Sequence, residues 1–363
     1  MYNIPLIKPY IDENIKKRVL DVLDSGYLTE GPVTAEFQNR IKEYTGCKHA
    51  IAVTSCTTGL EIALRALNIG PGDEVLVPDY TYPATADVVV IVGATPVVVD
   101  IDFSTMLIDY DALEKTITSK TKAVIPVSLF GNPLDYDRLD YIKNKYKIAI
   151  IEDAACAIGA DYKGKKVGSS ADITVFSLHP RKFITTGEGG IVTTEDDDLA
   201  LWMDSYKHFG IGKAESREKT QFVMIGTNYK LSNVLAAIGL GQMDVIDELL
   251  GKRRELAENY LKLLGDVKGI TIPVTTDHGL HSYQSFAIFV ENRDLIMTKL
   301  RQKGIEVQIG TYSLHMHKAF ENVCKGSYQN SRRAFEQCLV LPLYHTLTEQ
   351  NQINIVTELK ELI

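Results

Sequence analysis

The chain has 363 residues, with 39 Lys+Arg against 47 Asp+Glu and a formal charge of −8. An acidic balance without a basic cluster argues against a dedicated nucleic-acid binder, and 45% hydrophobic with 24% charged residues excludes general disorder. This length predicts two domains, with enough core to need no disulfide staples.

The start, MYNIPLIKPYIDENIKKR, shows a short apolar patch but no continuous signal-peptide core behind a basic flank. Asp12 is placed to cap a helix whose apolar face is Ile15, Val19, Val22 and Leu23, with Gly26 as its stop. His49 to Ser55 reads as a strand running straight into the helical segment TTGLEIALRALNIG, and the turn GPGDE leads to the strand VLVP. Further apolar runs follow: ATPVVVDI, KAVIPVSLF, IAIIED, DITVFSL and GGIVTT. Most are continuous Val/Ile runs, which fit strands buried on both faces of a largely parallel sheet. Helical segments between several of them imply α/β crossovers. The most apolar stretch, Ala86 to Val99, is broken by Gly93 and Pro96 and is shorter than the ~20 residues of a membrane span.

The last third changes pattern. Leu249, Leu256, Tyr260 and Leu263 form a helical stripe between Asp244 and Leu264, followed by a strand-like SFAIFV, a helix from Asp294 to Gly304 and a strand IEVQIG. The expectation is a doubly wound α/β large domain over residues 1–244 and a small α+β domain over 245–363. The five cysteines (Cys47, Cys56, Cys156, Cys324, Cys338) are odd in number and form no C-x-x-C pair. That argues against a zinc ribbon or a disulfide framework and points to a reducing, cytoplasmic location.

Several common chemistries have no motif here. G-x-G-x-x-G after a strand, G-x-x-x-x-G-K-[ST], G-x-S-x-G and H-E-x-x-H are all absent, and no metal site is expected. The remaining place for chemistry is the row of strand C-terminal ends. At one end, Ser55-Cys56-Thr57-Thr58-Gly59 joins a strand to a helix, where free N–H groups and hydroxyls suit a phosphate or form an ordinary cap. At a second, Glu152-Asp153 ends the strand IAII, and a carboxylate so placed needs a cation or hydrogen bonds. At the third, Ser177-Leu178-His179-Pro180-Arg181-Lys182 is followed by the glycine-rich TTGEGG. A phosphate cradle, an acid for a pyridine nitrogen and a lysine for a Schiff base are together the parts that pyridoxal phosphate requires.

These motifs resemble those of the DegT/DnrJ/StrS-type nucleotide-sugar aminotransferases, which carry pyridoxal phosphate on the aspartate-aminotransferase fold (fold type I). The resemblance spans essentially the whole chain, from KPYIDE and SGYLTEGP to GTNYKLSNVLAAIGLGQM, with IEDAA, SLHPRK and TTGEGG in order. It implies that Lys182 holds the cofactor covalently and then shuttles the proton, and that Asp153 pairs with the pyridine nitrogen. Thr57, Thr58 and Ser177 fall on phosphate contacts, Tyr82 on an aromatic ring stacked against the cofactor, and Asn228 on a phosphate ligand given by the neighbouring subunit of a homodimer. Cys156 stands where relatives often have Gln or His against the ring hydroxyl, and a thiol is a weaker donor. Lys230, a substrate-phosphate candidate, replaces the Arg of an NYR run, which keeps the charge and loses the bidentate fork. His179, Glu188, Tyr312 and His315 are substrate-pocket candidates, each also readable as a structural residue.

The implied reaction is a two-stage transamination. L-glutamate leaves its amino group on the cofactor, giving pyridoxamine phosphate, and a nucleotide-linked keto-sugar then takes it. Desolvation and the cationic ring are expected to lower Lys182 toward neutrality. TTGEGG and the NYK run point to C4 of a 4-keto-6-deoxy sugar, for amino sugars of surface glycans. Amination at C3, a different pyridoxal-phosphate reaction such as sugar dehydration, and a regulatory protein without turnover are the alternatives.

Overall fold

The computed structural model describes residues 3–212 and 217–363. Seven strands form the main sheet: β1 (His49–Val53), β2 (Glu74–Pro78), β3 (Thr95–Val99), β4 (Thr121–Val124), β5 (Ala149–Asp153), β6 (Ile173–Ser177) and β7 (Gly190–Thr194). Their order across the sheet is β1-β7-β6-β5-β4-β2-β3. β3, β2, β4, β5 and β6 pair in parallel, while β7 runs antiparallel to both β6 and β1. Every residue of β6 and β7 is buried, as expected for Val/Ile runs covered on both faces. The architecture is α/β with a mostly parallel central sheet.

The first helix lies where the capping signals put it. Helix α1 spans Glu13–Ser25, Asp12 Oδ1 accepts the Ile15 N–H at 2.8 Å, and Gly26 closes the helix at φ 70°. Ile15 and Val22 are buried, but Leu23 is 48% exposed. The expected apolar face is therefore too wide. Ile15 packs against the glycine-containing helix Asn233–Met243, so only a narrow stripe of α1 is covered. Helix α2 (Pro32–Thr45) follows, then α3 (Cys56–Ala66) between β1 and β2 and α4 (Ala84–Ile91) between β2 and β3.

A second, antiparallel sheet joins Ile270–Thr271, Phe286–Val290, Cys338–Leu341 and Gln308–Ile309. Helices Ile246–Leu264, Arg293–Gln302 and Glu349–Lys360 supply much of its core, including Leu256, Tyr260, Leu300 and Ile355. Ile4 joins this core and bridges to Ile305, so both ends of the chain help build it. Two further short strands, Tyr80–Thr81 and Tyr312–Ser313, pair antiparallel with each other. Among the described residues no helix is long and apolar enough to cross a membrane.

Candidate active site

A cleft of about 690 Å³ opens where the C-terminal ends of β5 and β6 meet the start of α3, with residues 308–312 on its other side. The start of α3 is built by a reciprocal cap. Ser55 Oγ accepts the Thr58 N–H at 3.1 Å, and Thr58 Oγ1 accepts the Ser55 N–H at 3.1 Å. The Thr58 hydroxyl is thereby engaged and lies outside the cleft lining, whereas Ser55, Cys56 and Thr57 line it. The Thr58 side chain thus serves as a cap in this structure. First-turn amides of a helix have no intrahelical acceptors, and they carry the positive end of its dipole. Strand β7 starts directly against this turn: a Cβ on Gly190 would stand 2.6 Å from the Ser55 carbonyl group and 2.7 Å from the Cys56 nitrogen.

Asp153 ends β5 and is 5% exposed. Its Oδ2 accepts from Thr85 Oγ1 at 2.8 Å and its Oδ1 from the Ala155 N–H at 3.1 Å, with Cys56 Sγ at 3.8 Å. Burial pushes its carboxyl above the usual range, against the pull of Thr85, the Ala155 amide and Lys182. Lys182 sits on the turn after β6, with its N–H bonded to the His179 carbonyl at 2.8 Å and its Nζ 3.2 Å from Cys156 Sγ. Burial is the largest influence on this amine and lowers it. Cys156, Cys56 and Asp153 together outweigh burial, so the net direction is upward. The expected lowering invokes the cationic ring of the cofactor as well as burial; in the chain alone the balance is upward.

The residues fit pyridoxal phosphate. A phosphate suits the helix N-terminus beside Ser55, Thr57 and Ser177. The buried Asp153 carboxylate, whose nearest partners are neutral hydroxyl, amide and thiol groups, would be relieved by a cationic ring nitrogen. Lys182 Nζ lies on the same cleft wall, beside Cys156.

The DegT/DnrJ/EryC1/StrS aminotransferase family matches residues 9–360. The chain belongs to this family. It is 35% identical over 382 residues to the UDP-4-amino-4-deoxy-L-arabinose–oxoglutarate aminotransferase of Shewanella sediminis, covering 99% of this chain and 98% of that one. It is also 35% identical over 367 residues to the GDP-perosamine synthase of Caulobacter vibrioides, with the same coverage. Spr1654 of Streptococcus pneumoniae has been solved with the cofactor in both forms. Its PMP form superposes with a TM-score of 0.94 at 32% identity, over 99% of each chain. Its PLP form gives 0.93 at 32% identity, over 99% of this chain and 98% of that one. The protein is a pyridoxal-phosphate-dependent aminotransferase.

Within the aminotransferase cleft, Tyr82, Ser177, His179, Glu188 and Tyr312 line the wall together with Asp153, Cys156 and Lys182. Tyr82 is 65% exposed and its ring centroid is 6.2 Å from that of Tyr312. His179 Nε2 and Glu188 Oε1 are 4.0 Å apart, both exposed. His315 does not line the cleft: its ring is turned to the buried Asp79, with Nδ1 2.6 Å from Oδ2. Asn228 and Lys230 also stand outside this chain's own cleft; Lys230 Nζ donates to Asn228 Oδ1 at 2.6 Å and lies 4.4 Å from the centre of the Phe209 ring. Burial lowers the Lys230 amine. Sequence reasoning missed Thr85, which anchors Asp153, and the proximity of Cys56 and Cys156 to the lysine. Thr85 lies 68 positions from Asp153, and no local pattern signals such a contact.

Proposed function

We propose that this aminotransferase moves the amino group of L-glutamate to C4 of a nucleotide-linked 4-keto-6-deoxy sugar. The observation that carries the reading is the single cleft that holds Lys182 Nζ, the buried Asp153 carboxylate and the open start of α3. A relative whose name contains both 4-amino-4-deoxy and oxoglutarate supports C4 and the glutamate–oxoglutarate couple.

When bound, pyridoxal phosphate withdraws electrons from the amino-bearing carbon and makes its hydrogen acidic. Asp153 supplies the negative charge that keeps a ring-nitrogen proton in place, and Thr85 fixes the orientation of that carboxylate. Lys182 Nζ would move a proton from the donor carbon to the cofactor in the first stage and from the cofactor to the sugar carbon in the second, so it must first lose the proton that its neighbours favour. Cys56 and Thr57 would offer first-turn amides, and Ser55 and Thr57 hydroxyls, to the phosphate, with Ser177 beside them. Tyr82 would cover the ring face, and Cys156 would meet the ring hydroxyl as a weak donor. His179, Glu188 and Tyr312 face the sugar. Asn228 serves the site of a neighbouring subunit, which makes the working unit a homodimer, and Lys230 meets the substrate phosphate; the enzyme works in the cytoplasm. In this reading the cleft lies between a large domain, 1–244, and a small domain, 245–363.

The test is a panel of nucleotide-linked 3-keto and 4-keto sugars offered with L-glutamate, with products read by mass and by NMR. Amination at C4, with wild-type turnover lost in Lys182→Ala, is expected. Amination at C3, or loss of water without gain of nitrogen, would overturn the assignment.

A further inference from the structure

Asp79 follows β2, and its side chain is fully buried. A carboxylate so placed must be met by donors or by a cation. Its Oδ1 accepts the His315 N–H at 2.9 Å, and its Oδ2 lies 2.6 Å from His315 Nδ1. Ser331 Oγ donates a further short hydrogen bond to Oδ2, and the Leu314 N–H donates to the Asp79 carbonyl at 2.9 Å. These bonds fasten together two segments 236 positions apart in the chain.

Two cleft side chains hang on this fastening. Tyr80–Thr81 pairs antiparallel with Tyr312–Ser313, Thr81 lying opposite Tyr312. A ladder of two residues per strand is too short to hold itself. Tyr82 continues from one strand and Tyr312 begins the other, and both line the cleft with ring centroids 6.2 Å apart. Beyond Tyr82, Thr85 donates to Asp153 at 2.8 Å. Tyr82 is therefore anchored on both sides, by Asp79 behind it and by Thr85 ahead of it.

We propose that Asp79 and His315 form a positioning pair that sets the spacing of Tyr82 and Tyr312 and thereby holds the aromatic wall of the cleft in register with Asp153. Neither residue lines the cleft, so neither touches the reacting atoms. The consequence for cofactor binding rests on the proposed role of Tyr82. The coupling between the two segments rests on the hydrogen bonds alone.

The test uses the full chain as wild type, His315→Ala, His315→Asn, Tyr82→Leu and the double variant His315→Ala/Tyr82→Leu. Asparagine carries an amide N–H donor on a short side chain and can replace the Nδ1 contact. The first readout is amide hydrogen exchange in the ligand-free protein. His315→Ala is expected to speed exchange about tenfold in residues 79–82 and 312–315 together, leave β4 to β6 unchanged, and be largely rescued by His315→Asn. The second readout is the dissociation constant of pyridoxal phosphate by absorbance titration. His315→Ala is expected to weaken binding about tenfold in the wild-type background and under about twofold in the Tyr82→Leu background. Equal weakening in both backgrounds, or exchange that rises only in 312–315 or throughout the molecule, would overturn the proposal. If His315→Ala does not fold, Asp79→Asn and His315→Asn carry the same comparisons. A wild type that binds no cofactor would refute the cofactor site, while the exchange result would still decide the coupling.

Discussion

Glu152→Gln is the sharpest perturbation of the strand end that carries Asp153. Glu152 is fully buried and accepts three hydrogen bonds from neutral donors: a short one from Ser128 Oγ, one from Tyr136 OH at 2.8 Å and one from Thr174 Oγ1 at 3.2 Å. Burial outweighs those bonds and, with the negative Asp153 alongside, pushes the carboxyl from 4.5 up to about 7. Between those values the folded protein keeps a proton that the unfolded chain has released. The stability this group contributes is therefore complete below pH 4.5 and is lost as pH rises toward 7. The interval corresponds to roughly 3 kcal/mol. Glutamine is neutral at every pH, has nearly the same shape, and keeps a carbonyl acceptor for Ser128 and Tyr136. The stability of the wild type minus that of the variant, from denaturation curves at fixed pH, should fall by roughly 3 kcal/mol over that interval and level off above it. A difference that stayed flat, or rose with pH, would refute the burial argument.

Cys156→Ala should bring Lys182 down, because the thiol at 3.2 Å is the largest influence raising it. Cofactor loading requires the neutral amine, so the pH of half-maximal loading rate should drop; stopped-flow absorbance that shows no movement would remove the thiol from the account. Gly190→Ala places a methyl against the Ser55 and Cys56 backbone, which cannot yield as a flexible side chain would. Weakening of pyridoxal-phosphate binding by more than about tenfold, with a lower melting temperature, is expected, and unchanged values of both would refute the cradle. Lys182→Ala and Asn228→Ala should each be inactive alone but regain activity when mixed, since one site of the mixed dimer then has both residues. A mixture no more active than its parts would contradict a shared site.

The parallel sheet was legible because continuous Val/Ile runs have few alternatives, and α1 because Asp12 and Gly26 mark its two ends. Helix α4 was not: its Val88-Val89-Val90-Ile91 run favours a strand, yet it folds as a helix packed on α3. Leu23 misled because periodicity reports which residues share a face and not how much of that face a neighbour covers. In the site, the order of IEDAA, SLHPRK and TTGEGG placed Asp153 and Lys182 at one cleft. The cap made by Thr58 and the Asp79 contact of His315 were not legible, because a capping hydroxyl and a ligand hydroxyl look alike in sequence. So do a histidine held by a buried carboxylate and one that faces a substrate. The upward shift of Lys182 depends on Cys56 and Cys156, whose approach is set by the fold.

The central claim, that Lys182 and Asp153 serve an amino transfer from L-glutamate, is tested most directly by one absorbance experiment on the purified protein loaded with pyridoxal phosphate. Adding L-glutamate should abolish the band of cofactor joined to Lys182, with one equivalent of 2-oxoglutarate formed per site. A folded, loaded protein whose band and 2-oxoglutarate yield do not respond to L-glutamate would contradict it.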